Sequence, residues 1–151
     1  MLETPHALVG IAIATKVPNP LISIPLAFGS HFILDMIPHW NPHINTELKK
    51  YGKITNKSLA IIGGDLLFAG ITTVLVSSHL DPNQLLVYYL AAAASIMPDA
   101  VEAPYFFFKN RHALLLKYVK LQKAIQVDVS ALPGVITQIA VAFAALWWIL
   151  S

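Results

Sequence analysis

Long apolar runs separated by short polar segments organise this chain. Three runs approach the ~20 residues a helix needs to cross a bilayer: Leu21 to Ile37, Leu59 to Ser78 and Leu132 to Leu150. A fourth, Leu85 to Phe108, is interrupted by Pro98, Asp99 and Glu102, and a fifth, His6 to Val17, suits a tilted helix or a half-span. Pro18-Asn19-Pro20 and Asp81-Pro82-Asn83 mark tight turns, since the residue before a proline is pushed out of the helical region. The pattern predicts an all-α integral membrane bundle of about five helices in one membrane-embedded domain, residues 1–151. The helices are placed near 6–17, 20–37, 57–78, 84–106 and 130–150. Polar segments 38–57 and 107–129 connect them. The second contains HALLLKYVKLQKAIQ, with Leu114, Leu115, Tyr118, Leu121 and Ile125 near one face and Lys117, Lys120 and Lys123 on another. That predicts an interfacial amphipathic helix lying on the membrane surface.

Composition agrees with the pattern. Apolar residues make up 56% of the chain and charged residues 12%, against roughly 25% charged in soluble domains; mean hydropathy is +0.64. The 151 residues suit one domain. The net charge of +2 is small, and its placement is more informative than its size. Lys49, Lys50, Lys53 and Lys57 lie in one polar segment, and Lys109, Arg111, Lys117, Lys120 and Lys123 in the other; the turn near residue 81 has no lysine or arginine. The positive-inside bias then puts both basic segments and the N-terminus in the cytoplasm, in the inner membrane. The opening MLETPHALVG lacks the basic n-region and cleavage site of a signal peptide, so it is read as retained. No nucleic-acid partner is expected, and no Gly-rich phosphate loop is visible. The chain has no cysteine, which excludes disulfides and thiolate metal sites. Any metal must be held by His, Asp and Glu.

The chemistry concentrates in PLAFGSHFILDMIP. His31 and Asp35 are four residues apart, share one helix face, and sit in an otherwise apolar stretch. Ionisable groups inside a membrane segment are functional candidates by default. Helix parity brings others to the same depth: His6 opens the first helix, Asp65 lies two turns into the third, and Asp99 and Glu102 lie toward the end of the fourth. His6, His31, Asp35, Asp65, Asp99 and Glu102 are therefore the metal-ligand candidates. Each also has a structural alternative. Asp65 could bond a neighbouring helix beside Gly63 and Gly64, and Asp99 could cap a helix restarting after Pro98. His39 could reach the site from its loop, His43 and His112 suit the interface, and His79 falls on the opposite face.

GSHFILDMIPHW resembles a motif in which a small residue precedes His, three residues and Asp, followed by a proline-containing turn. It is found in the LexA-binding, inner-membrane-associated metal-dependent hydrolases. PHALVG is similar to that family's early histidine segment, with His6 on the histidine. IMPDAVEAP is similar to its LPDxDHP motif, with Asp99 on the aspartate and Glu102 close to the second acidic position. The family's HRGxTHS element has no counterpart here, and the acidic motif follows the HxxxD pair rather than preceding it. The resemblance implies a membrane-embedded metal site and a hydrolase.

The reading is a membrane protein holding one or two divalent metals, zinc first, near the cytoplasmic interface. Glu102, with Asp65 beside it, is the catalytic candidate, Glu102 acting as general base toward water activated by the metal. Membrane lipids are the expected partners and a lipid ester or phosphoester the expected substrate. An ion or proton transporter and a non-catalytic membrane scaffold are the alternatives.

Overall fold

The fold is built around its first helix. In the computed structural model, which describes residues 1–151, α1 (Glu3–Lys16) packs against α2 (Pro20–Asp35), α4 (Asn56–Ser77), α5 (Leu85–Phe107) and α7 (Ala131–Leu150). Nine of the 14 residues of α1 are buried. A helix apolar on every side belongs in the interior, and the small side chains of α1 allow close approach. Gly10 shows how close: a Cβ there would lie 2.6 Å from the Ala91 carbonyl oxygen of α5. Two further helices, α3 (Ile44–Tyr51) and α6 (Ala113–Ile125), occupy the polar connections, and a 3-10 turn (Pro82–Gln84) precedes α5.

All five expected helices are present, and they differ in length. Three, residues 56–77, 82–107 and 131–150, are long and apolar enough to cross a membrane. At 1.5 Å per residue, α1 rises about 21 Å and α2 about 24 Å, short of the roughly 30 Å hydrocarbon core. Ser23, Ala27, His31, Leu34 and Asp35 turn the other face of α2 into the bundle. Outer faces of the long helices remain apolar: Leu67, Phe68 and Leu75 of α4 are 66%, 57% and 57% exposed.

Boundaries follow local chemistry. α1 begins three residues before its expected start because Asp65 of α4 accepts from the Glu3 N–H at 2.5 Å, from the Thr4 hydroxyl at 2.7 Å and from the Thr4 N–H at 3.4 Å. A carboxylate at a helix N-terminus satisfies free donors and complements the dipole. Asn19 caps α2 by accepting from Leu21 N–H at 3.0 Å, with Pro20 in the first turn. α2 ends at Asp35, ahead of Pro38. The expected interruption at Pro98 is absent, and α5 runs through Pro98 and Pro104 to Phe107. Prolines are tolerated where neighbouring groups engage the nearby backbone, and the Tyr118 hydroxyl of α6 donates to the Pro98 carbonyl at 3.1 Å. Burial first, then Glu102, Asp99 and Asp35, push that phenol up to about 12, so it stays a donor.

The 38–57 segment is not all loop. Glu47 of α3 accepts from Thr55 N–H at 2.9 Å and from the Ser58 hydroxyl at 2.7 Å, bracing the start of α4. α6 is amphipathic as expected, but its inner stripe falls elsewhere. Val119 and Gln122 are buried, while Leu114 and Leu121 are 72% and 55% exposed alongside the lysines. Leucines and lysines on one outward face suit a helix lying at a membrane surface.

Candidate metal centre

α1, α4 and α7 begin, and α2 and α5 end, at one side of the bundle, and the ionisable side chains meet there. His6 and His31 stack with ring centroids 4.1 Å apart and an interplanar angle of 17°. His6 Nε2 lies 3.3 Å from Asp35 Oδ1, and His31 Nε2 lies 3.4 Å from Asp35 Oδ2. All three side chains are fully buried, and their potential ligand atoms lie within 4.8 Å of one another. Asp99 Oδ1 is 3.4 Å from His31 Nε2, and His39 Nε2 is 3.8 Å from Asp35 Oδ1. The amino group of Met1 also sits against Asp35, 3.4 Å from His6 Nε2, so positive charge already meets the carboxylate.

Good N–H···O hydrogen bonds span roughly 2.7–3.2 Å, shorter than both His–Asp35 distances. Donors bound tetrahedrally at about 2.0–2.2 Å lie about 3.4 Å from one another. The spacing is compatible with donors around a shared cation, beside which the Met1 amino group sits against Asp35 in this structure.

Supporting contacts fix His31 and His39, while His6 Nδ1 is buried without a partner. His31 Nδ1 faces the Ser95 carbonyl at 2.8 Å, in the turn of α5 that Pro98 loosens. An N–H donated there leaves Nε2 with its lone pair toward Asp35, the usual tautomer control in metal sites. His39 Nδ1 faces the Ile37 carbonyl at 2.8 Å in the same way. Burial, followed by the Met1 amino group, lowers the His39 pKa and favours the neutral imidazole. Residues 126–129 lie along the end of α2: Val127 N–H donates to the Asp35 carbonyl at 3.1 Å, and His39 N–H donates to the Val127 carbonyl at 3.1 Å. Gln126 Nε2 donates to Asp35 Oδ2 at 3.3 Å, and Gln122 Nε2 donates to Asp99 Oδ1 at 3.3 Å. On the other flank, Gln138 of α7 accepts from Leu2 N–H at 2.6 Å and donates to the Trp40 carbonyl at 3.0 Å. Gly134 permits that approach, since a Cβ there would lie 2.4 Å from the Trp40 nitrogen.

A cavity of about 440 Å³ opens beside the cluster, between α4, α5 and the segment around residues 41–46. Glu102 lines it, 9% exposed, and its Oε1 is buried without a partner. Asp99 borders both the cavity and His31. Asp65 also lines the cavity, but both its oxygens are engaged by the start of α1. His43 is at the cavity wall, His112 is exposed ahead of α6, and His79 bonds the Leu75 carbonyl at the far end of α4.

Sequence reasoning missed Glu3, Ser95, Gln122 and Gln126. Gln122 and Gln126 are four apart, and together with Leu115 and Val119 they continue the inward stripe of α6. A stripe that turns polar where it meets a site was the available signal. Glu3 had none beyond its closeness to His6. No family model, curated protein or solved structure matches this chain.

Proposed function

We propose that this chain is a membrane-embedded, metal-dependent hydrolase that acts on a lipid ester or phosphoester near the cytoplasmic face of the inner membrane. The observation that carries the reading is the fully buried His6–His31–Asp35 group, whose potential ligand atoms all lie within 4.8 Å of one another. Two imidazoles and a carboxylate suit zinc, with Asp99 of α5 next to the third side of the group. A divalent cation held there would supply Lewis acidity and a low-pKa water. The chain supplies the rest. The Ser95 carbonyl orients the His31 imidazole and the Ile37 carbonyl that of His39, and Gln122 and Gln126 hold the Asp99 and Asp35 carboxylates. Glu102 has the unpartnered oxygen in the adjoining cavity that a general base needs.

Membrane placement rests on three helices of sufficient length and hydropathy and on the basic residues at the site's end. A transport route is disfavoured by the middle of α1, where Ala7, Leu8, Ile11, Ala12 and Ala14 fill the core and bear no titratable group. The test is elemental analysis of detergent-purified protein together with release of acyl or phosphoryl groups from mixed lipid vesicles. Wild type should retain stoichiometric zinc and hydrolyse a lipid. His31→Ala should lose both, and Glu102→Gln should lose turnover while keeping the metal. Metal-free wild type, or full turnover in Glu102→Gln, would overturn the reading.

A further inference from the structure

The cavity beside the metal group has a charge that selects its ligand. Five carboxylates line it against Lys123, which is itself paired with Asp128, and the Met1 amino group, which is itself paired with Asp35. Asp65 is engaged by the α1 N-terminus. Asp99 is met by His31 and Gln122 on its inner side. That leaves Glu3 and Glu102 without such partners, with Asp99 between them and the metal group. Glu102 is 9% exposed with Oε1 buried and unpartnered, and Glu3 Oε2 is likewise buried without a partner. Carboxylates crowded in an apolar site do not all stay ionised without a cation to face.

A bare metal ion is a poor match for this demand. Among ligand-type groups, only His6, His31 and Asp35 bring three donor atoms within 4.8 Å of one another. A cavity of about 440 Å³ is the size of an organic-ligand pocket and far larger than an ion. Its walls are mixed. Ile62 and Leu66 of α4 and Phe106 and Phe107 of α5 line it too, and Leu66 and Phe107 are 46% and 48% exposed. The space therefore continues from buried carboxylates to a lipid-facing apolar seam.

We propose that this cavity binds the ammonium head group of an amine-bearing lipid, with Glu102, Asp99 and Glu3 facing the cation and the chain leaving between Leu66 and Phe107. This deepens the hydrolase reading and rests on it for the claim that the ligand is the substrate; the binding site itself is testable without turnover. Such a head group places the bond next to the ammonium beside Asp99, the residue shared by cavity and metal group. An anionic phosphomonoester would meet like charge.

The test is native mass spectrometry of the full chain released from detergent micelles, with dodecylamine, dodecanol and dodecyl phosphate offered at equal concentration. Wild type should retain dodecylamine over dodecyl phosphate by on the order of tenfold, and Glu102→Gln should erase most of that preference. Glu3→Gln serves as a second variant if Glu102→Gln does not fold. Equal retention of the three probes, a preference for the phosphate, or a preference unchanged in the folded variants would overturn the proposal. Displacement of the amine by millimolar Mn²⁺ with stoichiometric Mn²⁺ bound would do so too, by making the cavity an ion site. Zinc is measured on the same samples. Amine preference without zinc refutes the metal reading alone, and zinc without amine preference refutes this one alone.

Discussion

The two ends of the bundle are built from the same helices and hold opposite interiors. At one end, where α1 begins, three histidines and an aspartate are fully buried beside a cavity of about 440 Å³. At the other, a cavity of about 280 Å³ is lined by Leu75, Val76, Leu80, Leu146, Ile149 and Leu150, with His79 at its edge. The difference comes from backbone groups. Where α1 starts and α2 and α5 end, free N–H and C=O groups lie close together, and charged or amide side chains are needed to satisfy them. Asp65 meets the start of α1, and Gln138 bridges Leu2 to Trp40. At the far end the helix termini are turns that bond themselves, such as Ser78 to Leu75 and Asn83 to Asp81. Chemistry is concentrated where helix ends converge across the bundle, and the middle is left to packing.

The largest way to break this contrast is Asp35→Ala. It leaves three buried imidazoles facing the lost carboxylate, a case that costs about 3–5 kcal/mol when one partner of a buried pair is removed. Thermal unfolding in detergent should register that loss, and the purified protein should carry no zinc. At the opposite end, Ile149→Ala should cost the low part of the usual range of about 2–5 kcal/mol, because the neighbouring cavity already limits its contacts. Here zinc content should be unchanged. Equal zinc loss in both variants would mean that metal retention reports global stability rather than the site.

Asp65→Asn sharpens the comparison within the polar end. Its structural neighbours make it the cap of α1, so the substitution should cost about 1 kcal/mol and keep the metal. Loss of zinc at intact fold would return Asp65 to the ligand set. The smallest effect is at Glu47, whose carboxyl is held below its ordinary pKa by the Thr55 N–H and the Ser58 and Thr55 hydroxyls. A carboxylate with a lowered folded pKa contributes stability above its unfolded pKa and loses it as pH falls. Amide exchange at the start of α4 should therefore quicken on acidification below the ordinary glutamate range, and Glu47→Gln should remove that dependence.

Much of this was legible in the chain. Apolar runs and proline turns located the five bundle helices, and parity brought His6, His31, Asp35 and Asp99 to one end. Hydropathy could not reveal that α1 is the enclosed helix. Its middle, from Ala7 to Ala14, is apolar like a span, and only its packing among four neighbours shows the difference. Nor could it separate Asp65 from the ligands, since a carboxylate capping a distant helix and one facing a cation look alike along the sequence. His39 was read as a loop residue able to reach the site. It is fully buried because residues 126–129 close over it, a long-range contact with no local signature.

The central claim is that His6, His31 and Asp35 hold one cation together. X-ray absorption at the zinc edge of the purified, zinc-loaded chain tests it most directly. The account predicts imidazole scattering from two histidines and light-atom donors at about 2.0–2.2 Å, with the imidazole signal weakened in His31→Ala. A shell made of oxygen alone, or a wild-type spectrum unchanged by His31→Ala, would contradict it.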